Sequence, residues 1–159
     1  MKIICFHNPN EENGYLSNWY LSEFTVRGIK YSSMEQYMMY QKAICFHDDD
    51  VAKQILSTDD VGKIKALGRS VRNYDDRYWS GVRQIIVYNG LLAKFSQNDN
   101  IREKLKATGN AILAECAVND MIWGIGLSMS DVRRCDPKKW RGQGLLGYSL
   151  MLVRDALRH

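Results

Sequence analysis

The sequence predicts an α+β protein, mainly helical with a small sheet, folded as a single domain over residues 1–159. Three observations predict it. The first thirty residues alternate short apolar runs with turn residues, two helix-capping patterns overlap at Ser32 and Ser33, and apolar side chains recur in steps of three and four between Asp75 and Phe95. With 159 residues, 45% of them hydrophobic, the chain can bury a core of its own. No internal repeat, low-complexity tract or glycine- and proline-rich linker marks a boundary.

In chain order, Lys2 to Phe6, Tyr15 to Trp19 and Phe24-Thr25-Val26 before Gly28 read as short strands and hairpins, with Asn13-Gly14 as a turn. Ser32 and Ser33 stand three residues before Glu35 and Gln36, which predicts a helix running to about Cys45. Asp48 to Ser57 and Asp59 to Leu67 read as two shorter helices, the first led by acidic residues that suit a helix N-terminus. The longest helix spans Asp75 to Phe95, with Tyr78, Val82, Ile85, Tyr88, Leu92 and Phe95 as the expected packing face. Asn100 caps a short helix that Gly109 closes, Ala111 to Cys116 is an expected strand, and Asn119 to Gly126 is a loop. A last helix carries the stripe Leu146, Leu150, Val153 and Leu157.

Composition excludes several classes. Charges interrupt every apolar stretch well short of the ~20 residues that span a bilayer. The opening Met1 to His7 is too short for a signal peptide and lacks a small-residue cleavage site, so a cytosolic protein is expected. The four cysteines, Cys5, Cys45, Cys116 and Cys135, have no C-x-x-C spacing and are expected as reduced thiols. A net charge of +4, with acids and bases interspersed, favours anionic ligands without marking a groove-reading nucleic-acid module. Cys5-x-His7 and Cys45-x-His47 repeat a spacing of soft ligands, but they fall in different elements and lack structural-zinc spacing.

Three segments hold chemistry-bearing residues. Glu35 and Lys42 are seven apart, which puts them on one helical face about two turns from each other. A carboxylate and an amine facing one ligand supply an acid/base group and a nucleophile, provided burial or a cationic neighbour removes the lysine's proton. Glu35 also fits an ordinary capping role. The segment from Glu115 to Gly126 gathers Glu115, Asp120, Trp123, Gly124 and Gly126 around a strand end and a loop, where Trp123 either stacks on a base or sugar or fills the core. Trp79 and Trp140 carry the same two readings. Gly142 to Gly147 matches G-x-G-x-x-G, yet the chain ends at His159, before the second strand and acidic residue of a dinucleotide fold. What survives is a glycine-rich entry to a helix, whose N–H groups and dipole suit a phosphate.

Taken together these residues resemble the NADAR (YbiA-like) family over nearly the whole chain. Gly14-Tyr15-Leu16-Ser17-Asn18-Trp19 is similar to the family's aromatic-flanked S-N-F segment, and Glu35-x-Tyr37-x-x-x-Gln41-Lys42 to its helix-borne signature. Trp79, Lys94-Phe95-x-Gln97-Asn98, Leu105-x-x-Thr108-Gly109, Glu115 and Asp120-x-x-Trp123-Gly124-x-Gly126 continue the pattern in order. It closes with Trp140-x-Gly142-x-x-Leu145-Leu146-Gly147, where Gly144 occupies a position that is commonly asparagine in the family.

The resemblance implies a YbiA-like fold and cleavage of a C–N bond at ribose C1′, with no metal or redox cofactor. The implied substrates carry ribose phosphate or ADP-ribose: phosphoribosylated riboflavin-pathway intermediates, or ADP-ribose attached to guanine in a nucleic acid. Glu35 is implied as acid/base, Lys42 as the amine that forms a transient Schiff base, and Asp120 as a third catalytic group. Asn18, Trp79, Glu115, Trp123, Gly124, Gly126, Trp140, Gly142 and Gly147 are implied substrate contacts. A non-catalytic module that recognises ADP-ribose or NAD is the alternative reading of the same residues, and a nucleic-acid-associated factor is a third.

Overall fold

Six helices dominate the computed structural model, which describes residues 1–158, and the strands divide into two separate two-stranded sheets where the sequence predicts one. The backbone forms two units, Leu21–Asn98 and a second made by Met1–Tyr20 with the chain from Asp99 onward.

In the unit Leu21–Asn98, β2 (Leu21–Val26) and β3 (Ile29–Ser33) form an antiparallel hairpin. Arg27 and Gly28 both have positive φ, 50° and 80°, the backbone that a two-residue hairpin turn needs to match strand twist. Gln97 serves the hairpin as a surrogate strand: its side-chain oxygen accepts from the Thr25 N–H at 2.8 Å and its amide donates back to the Thr25 carbonyl at 2.8 Å. Asn98 does likewise for the Glu23 carbonyl, so the Lys94-to-Asn98 motif has a structural use.

Helix α1 (Met34–Cys45) follows β3 directly, with Ser33 accepting from the Gln36 N–H at 3.1 Å as its N-cap. Helices α2 (Asp49–Leu56) and α3 (Val61–Arg69) pack on α1. Gln36, buried in α1, donates to the carbonyls of Ile55 and Thr58 and accepts from the Ser32 N–H, pinning the end of α2 to the hairpin. Asp48 caps α2 and takes two hydrogen bonds from Arg72, one from its backbone at 2.8 Å and one from its guanidinium at 2.9 Å.

Helix α4 (Asp76–Ser96) is rotated relative to the expected face. Trp79, Val87, Leu91 and Phe95 are buried, whereas Tyr78 and Ile85 are exposed. The helix carries apolar residues on more than one stripe, so periodicity alone leaves the rotation open. Gly90 decides it, because a side chain there would overlap the Tyr37 ring of α1.

In the other unit, β1 (Ile3–Phe6) pairs parallel with β4 (Ile112–Glu115), from Ile3 opposite Ile112 to Phe6 opposite Glu115. The expected strand from Tyr15 to Trp19 is instead a 3-10 turn over Gly14–Leu16, because Ser17 N–H bonds back to the Gly14 carbonyl and Gly14 N–H to Glu11. Helix α5 is Asp99–Ala107 and α6 is Leu145–Leu157, with Leu146, Leu150 and Val153 fully buried as the stripe predicts. Gly147 brings α6 onto β4: a methyl there would overlap the Leu113 carbonyl oxygen. Buried Arg154 donates to the Thr108 hydroxyl at 2.8 Å and the Ala111 carbonyl at 2.9 Å, tying α6 to the end of α5 and the start of β4.

Candidate functional site

At the α1 N-terminus Ser33 is the N-cap, three residues before Gln36. Of the two overlapping capping patterns, the structure uses Ser33 with Gln36, and the Gln36 side chain bonds the Ser32 N–H at 2.7 Å. Glu35 is 5% exposed, a carboxylate drawn into the protein by the helix face that it shares with Lys42. Such burial is uncommon for glutamate outside functional or paired settings.

Lys42 is half-buried in the last turn of α1, with its Nζ 4.6 Å from the centroid of the Tyr74 ring. Burial lowers the pKa of its amine, the Glu35 carboxylate opposes that shift, and the Arg69 guanidinium adds to it. Burial and the Arg69 guanidinium thus both act in the direction that favours the uncharged amine. Tyr74 is itself braced, its ring against Phe46 at 5.3 Å and its hydroxyl donating to Asp76 at 2.7 Å. Burial, with that hydrogen bond second, pushes the phenol up to about 12, so the ring facing Lys42 is neutral at physiological pH.

Arg69 and Tyr74 escape sequence reasoning, because the charge of one and the ring of the other come near Lys42 through the packing of distant segments, which leaves no local pattern. Trp79 lies on the buried face of α4, at 5% exposure. Lys94 on the same helix is fully buried, and burial pulls its amine down to about 7. A depression of ≈ 650 Å³ on α2 and α3, lined by Gln54, Thr58, Lys63 and Ser70 among others, contains neither Glu35 nor Lys42. It holds no carboxylate, so it does not pair an acid with an amine as α1 does.

The other unit holds the remaining sequence candidates. Asn18 is buried, and its side-chain oxygen has no hydrogen-bond partner among the described residues. Asp120 forms a turn, one carboxylate oxygen accepting from the N–H groups of Ile122 at 3.0 Å and Trp123 at 2.8 Å. The Glu115 carbonyl accepts from Ile125 N–H at 2.9 Å, closing the loop that carries Trp123 and Gly124. Trp140 packs against Ala114, Cys116, Ile125 and Leu127, and its indole donates to the Arg134 carbonyl at 2.8 Å.

The glycine-rich entry to α6 differs from its expected use. The N–H groups of Gly142, Gln143, Gly144, Leu145 and Leu146 all donate to carbonyls between Met121 and Ile125, so the donors expected for a phosphate are spent on the loop. The glycines permit this interlock. A methyl on Gly142 would overlap the Gly124 carbonyl oxygen, one on Gly124 would come within 2.9 Å of the Asp120 carbonyl oxygen, and one on Gly126 within 2.7 Å of the Met121 sulfur. Gly144 has φ +64°, the left-handed backbone that glycine and asparagine adopt most readily. Glycine at a position that is commonly asparagine therefore keeps the backbone geometry and gives up only the amide.

Two further expectations concern metals and membranes. Among the described residues no group of three or more His, Cys, Asp or Glu side chains could hold a metal ion, and Cys5 and Cys45 stand in different units. No helix of the described residues is long and apolar enough to cross a membrane.

Comparison with known proteins bears on the whole arrangement. Residues 5–158 match the NADAR domain family. The chain is 37% identical to N-glycosidase R617 of Acanthamoeba polyphaga mimivirus, over 97% of this chain and 95% of that protein. It is 30% identical to riboflavin biosynthesis protein VVA0006 of Vibrio vulnificus, over 98% of this chain and 38% of that longer protein. The solved structure of Escherichia coli YbiA matches with a TM-score of 0.81 at 28% identity, covering 99% of this chain and 85% of that one.

Proposed function

We propose that this chain, which belongs to the NADAR family, is an N-glycosidase that hydrolyses the C–N bond at ribose C1′, with Glu35 as acid/base and Lys42 as nucleophile. The observation that carries this reading is a buried carboxylate and a half-buried amine of lowered pKa on one face of α1, the amine sensing the carboxylate's charge.

The chemistry follows from those two groups. The neutral Lys42 amine attacks C1′ as the C1′–N bond breaks, and Glu35 delivers a proton to the departing nitrogen. The ribosyl-lysine opens to a protonated Schiff base; water adds at C1′, the amine leaves, and the sugar closes as free hemiacetal. A carboxylate near C1′ also stabilises the positive charge that develops on the ring as the base departs. Asn18 is a proposed ligand contact, its buried oxygen having no hydrogen-bond partner among the described residues. Asp120 and Trp123 remain proposed aids to proton transfer and base stacking. The substrate classes are a phosphoribosylated riboflavin-pathway intermediate and ADP-ribosylated guanine. The name of the Vibrio relative favours the first, the N-glycosidase names of R617 and YbiA the reaction common to both.

The test is incubation with both substrate classes and mass spectrometry of the products. Free base and a ribose-containing product accumulate with wild type, and borohydride added during turnover leaves a reduced ribosyl adduct on Lys42. Binding of ligand without release of base from either class would replace the enzyme by an ADP-ribose-binding module.

A further inference from the structure

We propose that Arg69 is a phosphate-binding residue, seating the 5′-phosphate of the ribose whose C1′ faces Lys42. Its location rests on the N-glycosidase reading, but its binding chemistry is testable apart from turnover.

The placement begins with Gly68, which ends α3 against α1 so closely that a methyl there would overlap the Met39 sulfur. Met39 lies four residues after Glu35 and three before Lys42, and therefore between them on the same helical face. The next residue, Arg69, thus emerges from the last turn of α3 at the edge of the face that carries the carboxylate and the amine. Its charge is felt at Lys42.

Arg69 is exposed, and among the described residues it makes no ion pair. Arg72, three residues on, is the contrast: Asp48 at 2.9 Å and Asp50 at 3.3 Å already hold it. An uncommitted guanidinium is a ready partner for an anion, and the planar fork of arginine matches a phosphate with two parallel hydrogen bonds. The alternative seat at the α6 entrance has given five of its N–H groups to its own loop. In a ribose 5-phosphate the phosphorus stands a few bonds from C1′ across the ring, a separation suited to two side chains from adjacent helices.

The shared chemistry is a phosphate ester on ribose C5′, which occurs as a monoester in phosphoribosyl compounds and as a diphosphate in ADP-ribose. Titration calorimetry with ribose 5-phosphate, ADP-ribose and unphosphorylated ribose separates the sources. Arg69→Gln is expected to weaken ribose 5-phosphate binding at least tenfold, leave ribose binding unchanged, and keep the thermal midpoint of wild type. Arg69→Lys is expected to recover part of the loss. A loss for ADP-ribose alone assigns Arg69 to a diphosphate. Equal affinity of wild type and Arg69→Gln for both phosphorylated ligands overturns the proposal even if turnover is found. An Arg69-dependent affinity in a protein that releases no base from any substrate keeps the phosphate seat and discards the glycosidase reading.

Discussion

Two polar clusters, one in each unit, are treated in opposite ways. In Leu21–Asn98, a carboxylate, an amine and a further lysine are drawn out of water: Glu35 and Lys94 are buried, and Lys42 is half-buried with its proton loosened. In the other unit, the glycine- and tryptophan-bearing segments spend their hydrogen bonds on each other, five N–H groups of the α6 entrance going to carbonyls of the loop from Met121 to Ile125. Desolvated charge is costly to keep and is the usual mark of chemistry, whereas a satisfied backbone lattice is the mark of a scaffold. The lesson is that the motif richest in familiar glycine spacing builds the fold, while the more ordinary-looking Glu35 and Lys42 are the groups drawn out of water.

The largest expected difference is kinetic. Glu35→Gln should lower kcat by about 10²- to 10⁴-fold, the range for losing a general acid, while calorimetric binding of substrate persists. Gly147→Ala should behave in reverse: overlap with the Leu113 carbonyl should cost about 1–3 kcal/mol of stability, read by denaturant unfolding, with kcat of the folded fraction unchanged. An activity loss in Gly147→Ala at unchanged stability would make that glycine a ligand contact and erase the contrast between the units.

Stability against pH tests the buried charges next. Lys94 is pulled to about 7 in the folded chain against about 10.4 when unfolded, so the unfolded chain binds more protons between those values. Lys94 should therefore make the protein more stable as pH rises from about 7 to about 10, and Lys94→Met should flatten that slope in thermal melts. Asp48 has the opposite sense. Hydrogen bonds from Arg72 hold its carboxyl at about 2, so its contribution is present above the unfolded value of about 4 and is lost as pH falls toward 2. Asp48→Asn should lower the thermal midpoint at neutral pH, and the gap from wild type should close in acid.

The smallest effect lies in the other unit. The Cys116 thiol donates to Cys5 and Arg134 stands nearby, which together lower Cys5 to about 7 despite its partial burial. Iodoacetamide labelling followed by peptide mass spectrometry should modify Cys5 half-maximally near pH 7. Cys45, whose thiol burial raises, should lag behind it.

Much of this was legible locally. The capping residues Ser33, Asp48 and Asp75, the seven-residue interval from Glu35 to Lys42, and the stripe through Leu146, Leu150 and Val153 depend on neighbours within a turn or two, which the sequence lists in order. The α4 face was not legible, because Gly90 against Tyr37 chose its rotation. Nor was the strand expected from Tyr15 to Trp19, where local 3-10 bonds through Gly14 outweighed aromatic β-propensity.

By itself, then, the sequence determined the helical content, the spacing of the acid and the amine, and the family likeness, because each is written in intervals shorter than an element or in the order of motifs. Only tertiary structure decided that Glu35 is buried, that the Tyr74 ring lies against Lys42 within reach of the Arg69 charge, and that the α6 N–H groups go to the loop. Those outcomes depend on which helix faces touch, and such contacts are made between residues tens of positions apart in the chain.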